Sequence, residues 1–133
     1  MKRLLVLFVF FSLLSINHSN AKGWLGIQFL PLNDATIKGF AGEGSLEKDS
    51  PKNILVSGVI KNSPAHLANL LPGDIILEAD NKPTKEIKDL LDILDKFSSG
   101  ETINIKIFRK GTEKILKVKL VKTPTYFTFE FVD

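Results

Sequence analysis

Residues that could perform catalysis are sparse in this sequence. Cysteine is absent, and beyond the first 20 residues the single histidine is His66. A serine nucleophile would need a paired base and an orienting acid, and no motif such as G-x-S-x-G marks one. Asp89, Asp92 and Asp95 recur at a spacing typical of the solvated face of a helix. No residues stand at metal-ligand spacing, so the sequence predicts a non-enzyme with no catalytic residue, no metal site and no cofactor.

Binding chemistry is indicated instead by the run Trp24-Leu25-Gly26-Ile27. An apolar–Gly–apolar step forms a loop whose backbone N–H groups can turn toward an anion, and a strand follows it here. Further along the chain, residues 87–94 have the pattern of an amphipathic helix. A helix beside a free strand edge makes a groove, and proteins use such grooves to capture extended peptides by strand addition.

The first 21 residues have the composition of a secretory signal peptide. A basic start, Met1-Lys2-Arg3, precedes an apolar run over 4–14, and Ser19-Asn20-Ala21 offers small residues for cleavage. The alternative is an uncleaved N-terminal membrane anchor, although the run is shorter than the ~18–20 residues that span a bilayer. We therefore expect a periplasmic or secreted protein with no stable membrane span after cleavage.

Charge gives little support to nucleic-acid binding. The 133-residue chain carries 18 basic and 15 acidic residues, and removal of Lys2 and Arg3 with the signal leaves 16 − 15 = +1. The remaining basic residues are spread among acidic ones, with no basic run and no interleaved aromatics. This distribution lacks the basic patch that nucleic-acid binding requires, so we exclude nucleic acid as the main partner.

Hydrophobic periodicity predicts one α+β domain, a small, partly open barrel or sandwich of five to six strands with two helices. The predicted strands are 26–30, 54–60, 75–79, 103–108 and 115–121, and the predicted helices are 63–70 and 84–97. Thr84 is expected to cap the second helix. The polar connection 31–53 is expected to be functional or mobile because it is long for a compact domain.

Four segments of the chain resemble PDZ domains of the bacterial, circularly permuted type, as found in HtrA-like serine proteases. The segments are Trp24-Leu25-Gly26-Ile27, Gly58-Val59-Ile60-Lys61-Asn62-Ser63-Pro64-Ala65, Leu70-Leu71-Pro72-Gly73-Asp74-Ile75-Ile76, and Gly100-Glu101-Thr102-Ile103 leading to Phe108-Arg109-Lys110-Gly111. The match covers roughly 22–121, so we expect a PDZ-like domain over 22–122 without the protease domain of those relatives.

The resemblance implies that a partner's C-terminus, or an internal extended segment, adds as a strand next to residues 26–30, which include Gln28 and Phe29. The terminal carboxylate would meet the backbone N–H groups of Leu25, Gly26 and Ile27. Trp24, at the entry to the loop, would stack on a ligand side chain or cover one end of the barrel.

Helical geometry places the other wall of the groove on α-helix 84–97. Ile87, Leu91 and Leu94 stand at i, i+4 and i+7, on one face. Together with Leu25 and Ile27 they would form a pocket for an apolar terminal residue. The alternative is that the three side chains pack in the core, as one face of an amphipathic helix usually does.

Lys22 stands just before the loop, where the family often places a basic residue that steadies the bound carboxylate. An alternative is a frayed N-terminus in which Lys22 has no fixed role.

The C-terminal segment 123–133 extends beyond the resemblance. Phe127, Phe129 and Phe131 alternate along it, which puts three aromatic rings on one face of a strand. We expect either an extra strand of the sheet or an interaction segment, and one hypothesis places it in a groove of its own chain or of a neighbour. The acidic Asp133 argues against the groove, because an acidic last residue suits an apolar pocket badly.

Three functional hypotheses remain from the sequence. The first is an exported PDZ peptide-binding module that captures protein C-termini or extended segments, with a role in protein quality control. The second is a structural protein that assembles through its C-terminal tail, and the third is an accessory subunit of an envelope protease. The periplasm is favoured because the relatives work there.

Overall fold

The computed structural model describes residues 21–33, 51–125 and 129–133. The predicted signal peptide up to residue 20, most of the 31–53 connection and residues 126–128 of the tail lie outside the described residues. The elements in chain order are β1 (Gly23–Trp24), β2 (Ile27–Pro31), β3 (Ile54–Val59), α1 (Pro64–Leu67), β4 (Ile75–Ala79), β5 (Lys82–Pro83), α2 (Ile87–Leu94), β6 (Thr102–Arg109), β7 (Thr112–Lys119) and β8 (Val121–Lys122).

An antiparallel sheet forms the main layer, in the order β2-β3-β4-β6-β7, with β5 paired alongside β4. β1 and β8 form a separate two-stranded ribbon. Within the described residues, β2 and β7 at the two ends of the sheet do not pair with each other, so the barrel is not closed. The predicted α+β class with two helices is confirmed.

The core lies between the sheet and α2. Every second side chain of β6 is buried, beginning with Ile103 and Ile105, as expected for a strand with one covered face. Leu90 and Ile93 of α2 are buried against this face, while Leu91 remains 47% exposed. The helix therefore uses one stripe for the core and leaves the neighbouring stripe beside β2.

The second helix is shorter than predicted, and Thr84 does not cap it. Thr84 is buried, and its hydroxyl donates to the Ile76 C=O at 3.1 Å, so this side chain belongs to the β4–β5 hairpin. The helix begins at Ile87, where the Asp89 carboxylate accepts from the Glu86 N–H at 3.0 Å. None of the helices in the described part of the chain has the length and apolar character needed to cross a membrane.

A buried ion pair joins the turn before β4 to the end of β6. The Arg109 guanidinium donates to both carboxylate oxygens of Asp74 at 2.7 Å, and also to the Asn69 C=O at 2.7 Å. The hydrogen bonds to Asp74 raise the pKa of Arg109 above its usual value. The Asp74 carboxylate also accepts from the Leu71 N–H at 2.8 Å, so one side chain organises the whole turn.

Loss of the Asp74 carboxylate should therefore lower the stability of the folded protein. We expect Asp74→Ala to lower the free energy of unfolding by about 3 kcal/mol, because it leaves the Arg109 charge partly buried without its partner. The matched control is Glu113→Ala, which removes an exposed partner of Lys106 and should cost less than about 1 kcal/mol. Urea denaturation measures both values, and equal losses would contradict the role of the buried pair.

Candidate binding groove

The segment that precedes the loop is held from two sides. On one side, the Gly23 N–H donates to the Phe97 C=O at 3.0 Å, and the Ser99 N–H donates to the Ala21 C=O at 2.8 Å. On the other side, β1 pairs with β8. The residues just past α2 and the last strand therefore fix the point at which the loop begins.

The loop directs its carbonyl groups toward α1 and the end of β3. The Leu25 C=O accepts from the Ala65 N–H at 3.0 Å, and the Gly26 C=O accepts from the Ile60 N–H at 3.0 Å. The C=O and N–H of a trans peptide unit point in opposite directions, so the N–H groups of Gly26 and Ile27 point to the other side of the loop. Within the described residues, neither N–H group donates a hydrogen bond.

Glycine is required at position 26 for two reasons. Its φ angle is +85°, in the region that side chains disfavour. A Cβ atom there would also overlap the Ser63 Cβ. The Ser63 hydroxyl donates to the Gly26 C=O at 3.3 Å, so the close approach accompanies a buried hydrogen bond.

The outer edge of β2 offers backbone groups to an added strand. The Ile60 N–H donates to the Gly26 C=O, which makes Ile27 and Val59 a non-hydrogen-bonded pair whose own amide groups point away from each other. After a register shift between Gln28 and Phe29, Phe29 occupies the equivalent position opposite β3. β2 has a single neighbour in the described sheet, so these groups face the side on which α2 lies.

A cavity of about 270 Å³ lies between β2 and α2, at the end closed by the loop. Its apolar walls include Leu91 and Leu94 of α2, opposite Ile27 and Phe29 of β2. The complete lining is Lys22, Gly23, Trp24, Leu25, Gly26, Ile27, Phe29, Leu91, Leu94 and Asp95. The result is an apolar groove with outward backbone N–H groups at one end.

A single ion pair crosses the closed end of this groove. The Lys22 ammonium lies 3.0 Å from the Asp95 carboxylate, and the two side chains are 74% and 63% exposed. Asp95 is the residue that directly follows α2. The charge of Lys22 is thus matched by a carboxylate of the same chain, in water, at the rim of the cavity.

Trp24 forms part of the groove wall and also contacts the C-terminal segment. Its ring stacks on Phe129, with centroids 5.8 Å apart and an interplanar angle of 28°. Trp24 is partly buried and also lines a second cavity of about 330 Å³, which Pro124 and Phe129 line as well.

Eight of the ten site residues predicted from the sequence line the first cavity, and two do not. Gln28 is exposed, and its side chain lies over Gly58 of β3 instead. Ile87 begins α2 and packs partly buried against the core, two helical turns before Leu94. Leu25 has a double role, since it lines the cavity and is also 4% exposed within the core.

No sequence pattern predicts Asp95 or Phe129 as part of this site. The Asp95 side chain is exposed, as its spacing predicts, but it also stands four residues after Leu91 and so lies at the rim of the groove. Asp89, predicted by the same spacing to lie on the solvated helix face, accepts hydrogen bonds from the Lys85 and Glu86 N–H groups and so helps to start α2. Phe129 and Trp24 are more than 100 residues apart in the chain, so no local sequence pattern predicts their contact.

His66 serves the structure of α1. Its Nδ1 accepts from the Asn62 N–H at 2.8 Å, and its own backbone N–H donates to the Ser63 hydroxyl at 3.2 Å. Ser63 is the N-cap of α1, so the histidine closes the turn that leads into the helix.

Comparison with known proteins identifies relatives of this architecture. A family model described as PDZ domain matches residues 23–120. A probable periplasmic serine endoprotease, DegP-like, from Pseudomonas fulva (strain 12-X) is 35% identical over 104 residues, which are 78% of this chain and 20% of the relative. The chain thus spans about a fifth of the length of the curated relatives it matches.

Solved structures with a similar fold include an HtrA-type protease and an isolated PDZ domain. The HtrA-type protease AlgW with decapeptide is 26% identical with a TM-score of 0.68, over 79% of this chain and 30% of that one. The HtrA3 PDZ domain bound to a phage-derived ligand (FGRWV) has a TM-score of 0.62 over 74% of this chain and 86% of that one. Its sequence identity of 17% supports a likeness of fold alone.

The geometry of the loop predicts that replacement of Gly26 destabilises the folded protein. We expect Gly26→Ala to lower the free energy of unfolding by about 3 kcal/mol, because the new Cβ meets Ser63 in addition to the cost of positive φ. Gly73→Ala is the control, since Gly73 also has positive φ but nothing lies within 4 Å of its added Cβ, and it should cost about 1 kcal/mol. Urea denaturation of both variants is the measurement, and equal losses would show that the loop can move away from Ser63.

Proposed function

The chain belongs to the PDZ domain family, whose members are peptide-binding modules, and we propose that it captures protein C-termini or extended segments by strand addition between β2 and α2. The PDZ module is itself non-catalytic, and we propose no catalytic role, metal or cofactor for this chain.

One observation carries the proposal. The Leu25 and Gly26 carbonyls are bound on one side of the loop, so the Gly26 and Ile27 N–H groups point to the other side without partners among the described residues. Adjacent N–H groups that point to one side form a site for an anion. A terminal carboxylate that meets these two groups, with the Leu25 N–H beside them, leaves its own chain aligned with the edge of β2.

The outward amide groups of Ile27 and Phe29 then bond the backbone of the added segment. Gln28 takes part through its place in β2, and its side chain lies on the side of Gly58. Backbone bonds of this kind do not depend on ligand sequence, so they supply affinity, while the side-chain pocket supplies selectivity.

The pocket favours an apolar terminal residue. Leu91 and Leu94 face Ile27 and Phe29 across the cavity, and Leu91 is about half exposed. Burial of a Val, Leu or Phe side chain in such surroundings contributes about 1.5–3 kcal/mol. Ile87 lies on the same helix face, further toward the open end of the groove, where it would meet an earlier residue of the ligand.

Lys22 supports the carboxylate through its charge. The ammonium lies at the rim of the same cavity, where it would attract a terminal carboxylate. Asp95 pairs with this ammonium, so a ligand carboxylate competes with Asp95 for it.

We also propose export to the periplasm, with residues 1–21 as a cleaved signal peptide. The support is the basic and apolar start of the chain together with the DegP-like relatives, whose names describe them as periplasmic. Because those relatives are named as endoproteases, a second proposal is that this chain supplies extended proteins to a separate protease in envelope quality control.

A peptide screen tests the groove directly. We expect the full chain, screened against a random library of C-terminal peptides, to select apolar-ending sequences whose binding is lost when the C-terminus is amidated. Leu91→Asp should weaken binding of these peptides by at least about tenfold, because it places a charge in the apolar wall.

The matched control is Leu67→Asp, which makes the same change at a leucine that is 75% exposed on α1 and outside the cavity. Affinity should be unaltered by this control. Hits that survive amidation would point to recognition of internal segments, and a library without hits would overturn the proposal.

The ion pair at the rim yields a separate prediction. We expect Asp95→Asn to tighten binding of free-carboxylate peptides by about two- to fivefold at low salt, because Lys22 is released and a like charge is removed. Asp92→Asn removes the same charge from an exposed residue of α2 that does not line the cavity, and it should have a smaller effect. Equal effects of the two variants in fluorescence titrations would assign the change to net charge alone.

A further inference from the structure

Residues 129–133, the described end of the C-terminal segment, are attached to the half of β3 that β4 leaves uncovered. β4 pairs only with Ile54 and Leu55 of β3. At the other end of β3, Phe131 forms an antiparallel bridge with Ile60, and the Val132 N–H donates to the Val59 C=O at 2.7 Å. Residues 129–133 are therefore fixed by backbone bonds close to the loop of the groove.

A second set of contacts reinforces this attachment. The Lys61 N–H donates to the Glu130 C=O at 2.7 Å, and the Lys61 ammonium lies 3.5 Å from the Glu130 carboxylate. The bonds on both sides of Phe131 set the register of the segment, and Phe129 then comes to lie over Trp24.

The stack of Phe129 on Trp24 reaches the loop through the indole ring. The Trp24 Cη2 lies 3.2 Å from the position that a Cβ on Gly26 would occupy, so the ring covers the residue whose backbone forms the anion site. Trp24 is also the residue directly before Leu25. Movement of this ring therefore changes both the wall of the groove and the freedom of the loop.

Among the described residues, Phe129 is the aromatic partner of Trp24. Its ring is partly exposed, at 37%, so it is held by the stack and by the backbone bonds of its neighbours more than by a surrounding core. The match to the PDZ family model ends at residue 120, so this contact comes from a segment outside that match.

We infer that Phe129 is a positioning residue for the groove: it holds Trp24 in place, and Trp24 in turn holds the Leu25-Gly26-Ile27 loop ready for a carboxylate. This inference rests on the proposed peptide binding. Docking of Phe129 on Trp24 holds the loop in the form that binds a carboxylate. Docking and peptide binding therefore favour each other, and each strengthens the other by the same factor.

The test uses the full chain and three variants. Phe129→Ala removes the stack, Phe129→Tyr keeps it, and Phe131→Ala removes an equally exposed ring that lies against Gly58 instead of Trp24. Trp24 is the single tryptophan of the chain, so its fluorescence reports the stack without a label. The binding probe is the tightest free-carboxylate peptide from the library screen.

We expect Phe129→Ala to shift the Trp24 emission to longer wavelength and to weaken the probe by about two- to tenfold, the range that an aromatic pair supplies. Phe129→Tyr should restore both properties, and Phe131→Ala should leave both within about twofold of the original. Equal losses in Phe129→Ala and Phe131→Ala would assign the effect to the whole segment and overturn the role of Phe129, as would an unchanged Trp24 emission.

Amide hydrogen exchange separates failure of this inference from failure of the proposed function. Without any peptide, Phe129→Ala should speed exchange at the Ile60 and Ala65 N–H groups, which donate to the Gly26 and Leu25 carbonyls of the loop, and Phe129→Tyr should not. If the library gives no hits but exchange responds in this way, the proposed function fails while the positioning of the loop stands. If peptides bind the Phe129→Ala variant as tightly as the original, the inference fails while the proposed function stands.

Discussion

A junction between the loop and the start of α1 holds the groove in shape. The Ser63 hydroxyl accepts from the His66 N–H at the helix start and donates to the Gly26 C=O, so a single side chain serves both elements. The Ala65 N–H binds the neighbouring carbonyl of Leu25. Because these bonds fix the carbonyl side of each peptide unit, they also fix the direction of the N–H groups on the opposite side. The absence of a side chain on Gly26 lets the two elements come close enough for these bonds to form.

Distant parts of the chain converge on the residues around this junction. The end of α2 and the last strand hold the segment that leads into the loop, and the C-terminal segment covers Trp24. The pair of buried Asp74 and partly buried Arg109 ties the turn before β4 to the end of β6. The groove is thus assembled from long-range contacts, although each of its walls is a simple local element.

The fold class could be predicted from the sequence, and so could the faces of β2 and α2 that line the cavity, because both depend on periodic patterns. Alternating isoleucines mark β6, and the spacing of Leu91 and Leu94 marks the face of α2. The start of α2 was wrong by three residues because Thr84 has the chemistry of a helix cap, yet the hairpin offers its hydroxyl a buried carbonyl acceptor in Ile76. The contacts of Asp95 and Phe129 could not be predicted from local sequence patterns, because the folded sheet alone brings their partners Lys22 and Trp24 near them.

The two ends of the sheet differ in how they receive another strand. β2 presents Ile27, Gln28, Phe29, Leu30 and Pro31, none of which carries a charge. β7, at the opposite end, carries the exposed lysines Lys114, Lys117 and Lys119. Ammonium groups along an edge strand repel an incoming chain and discourage edge-to-edge aggregation. A domain whose two edges differ in this way can bind one extra strand at the uncharged edge without seeding a growing fibril, because the lysines of the other edge oppose further addition.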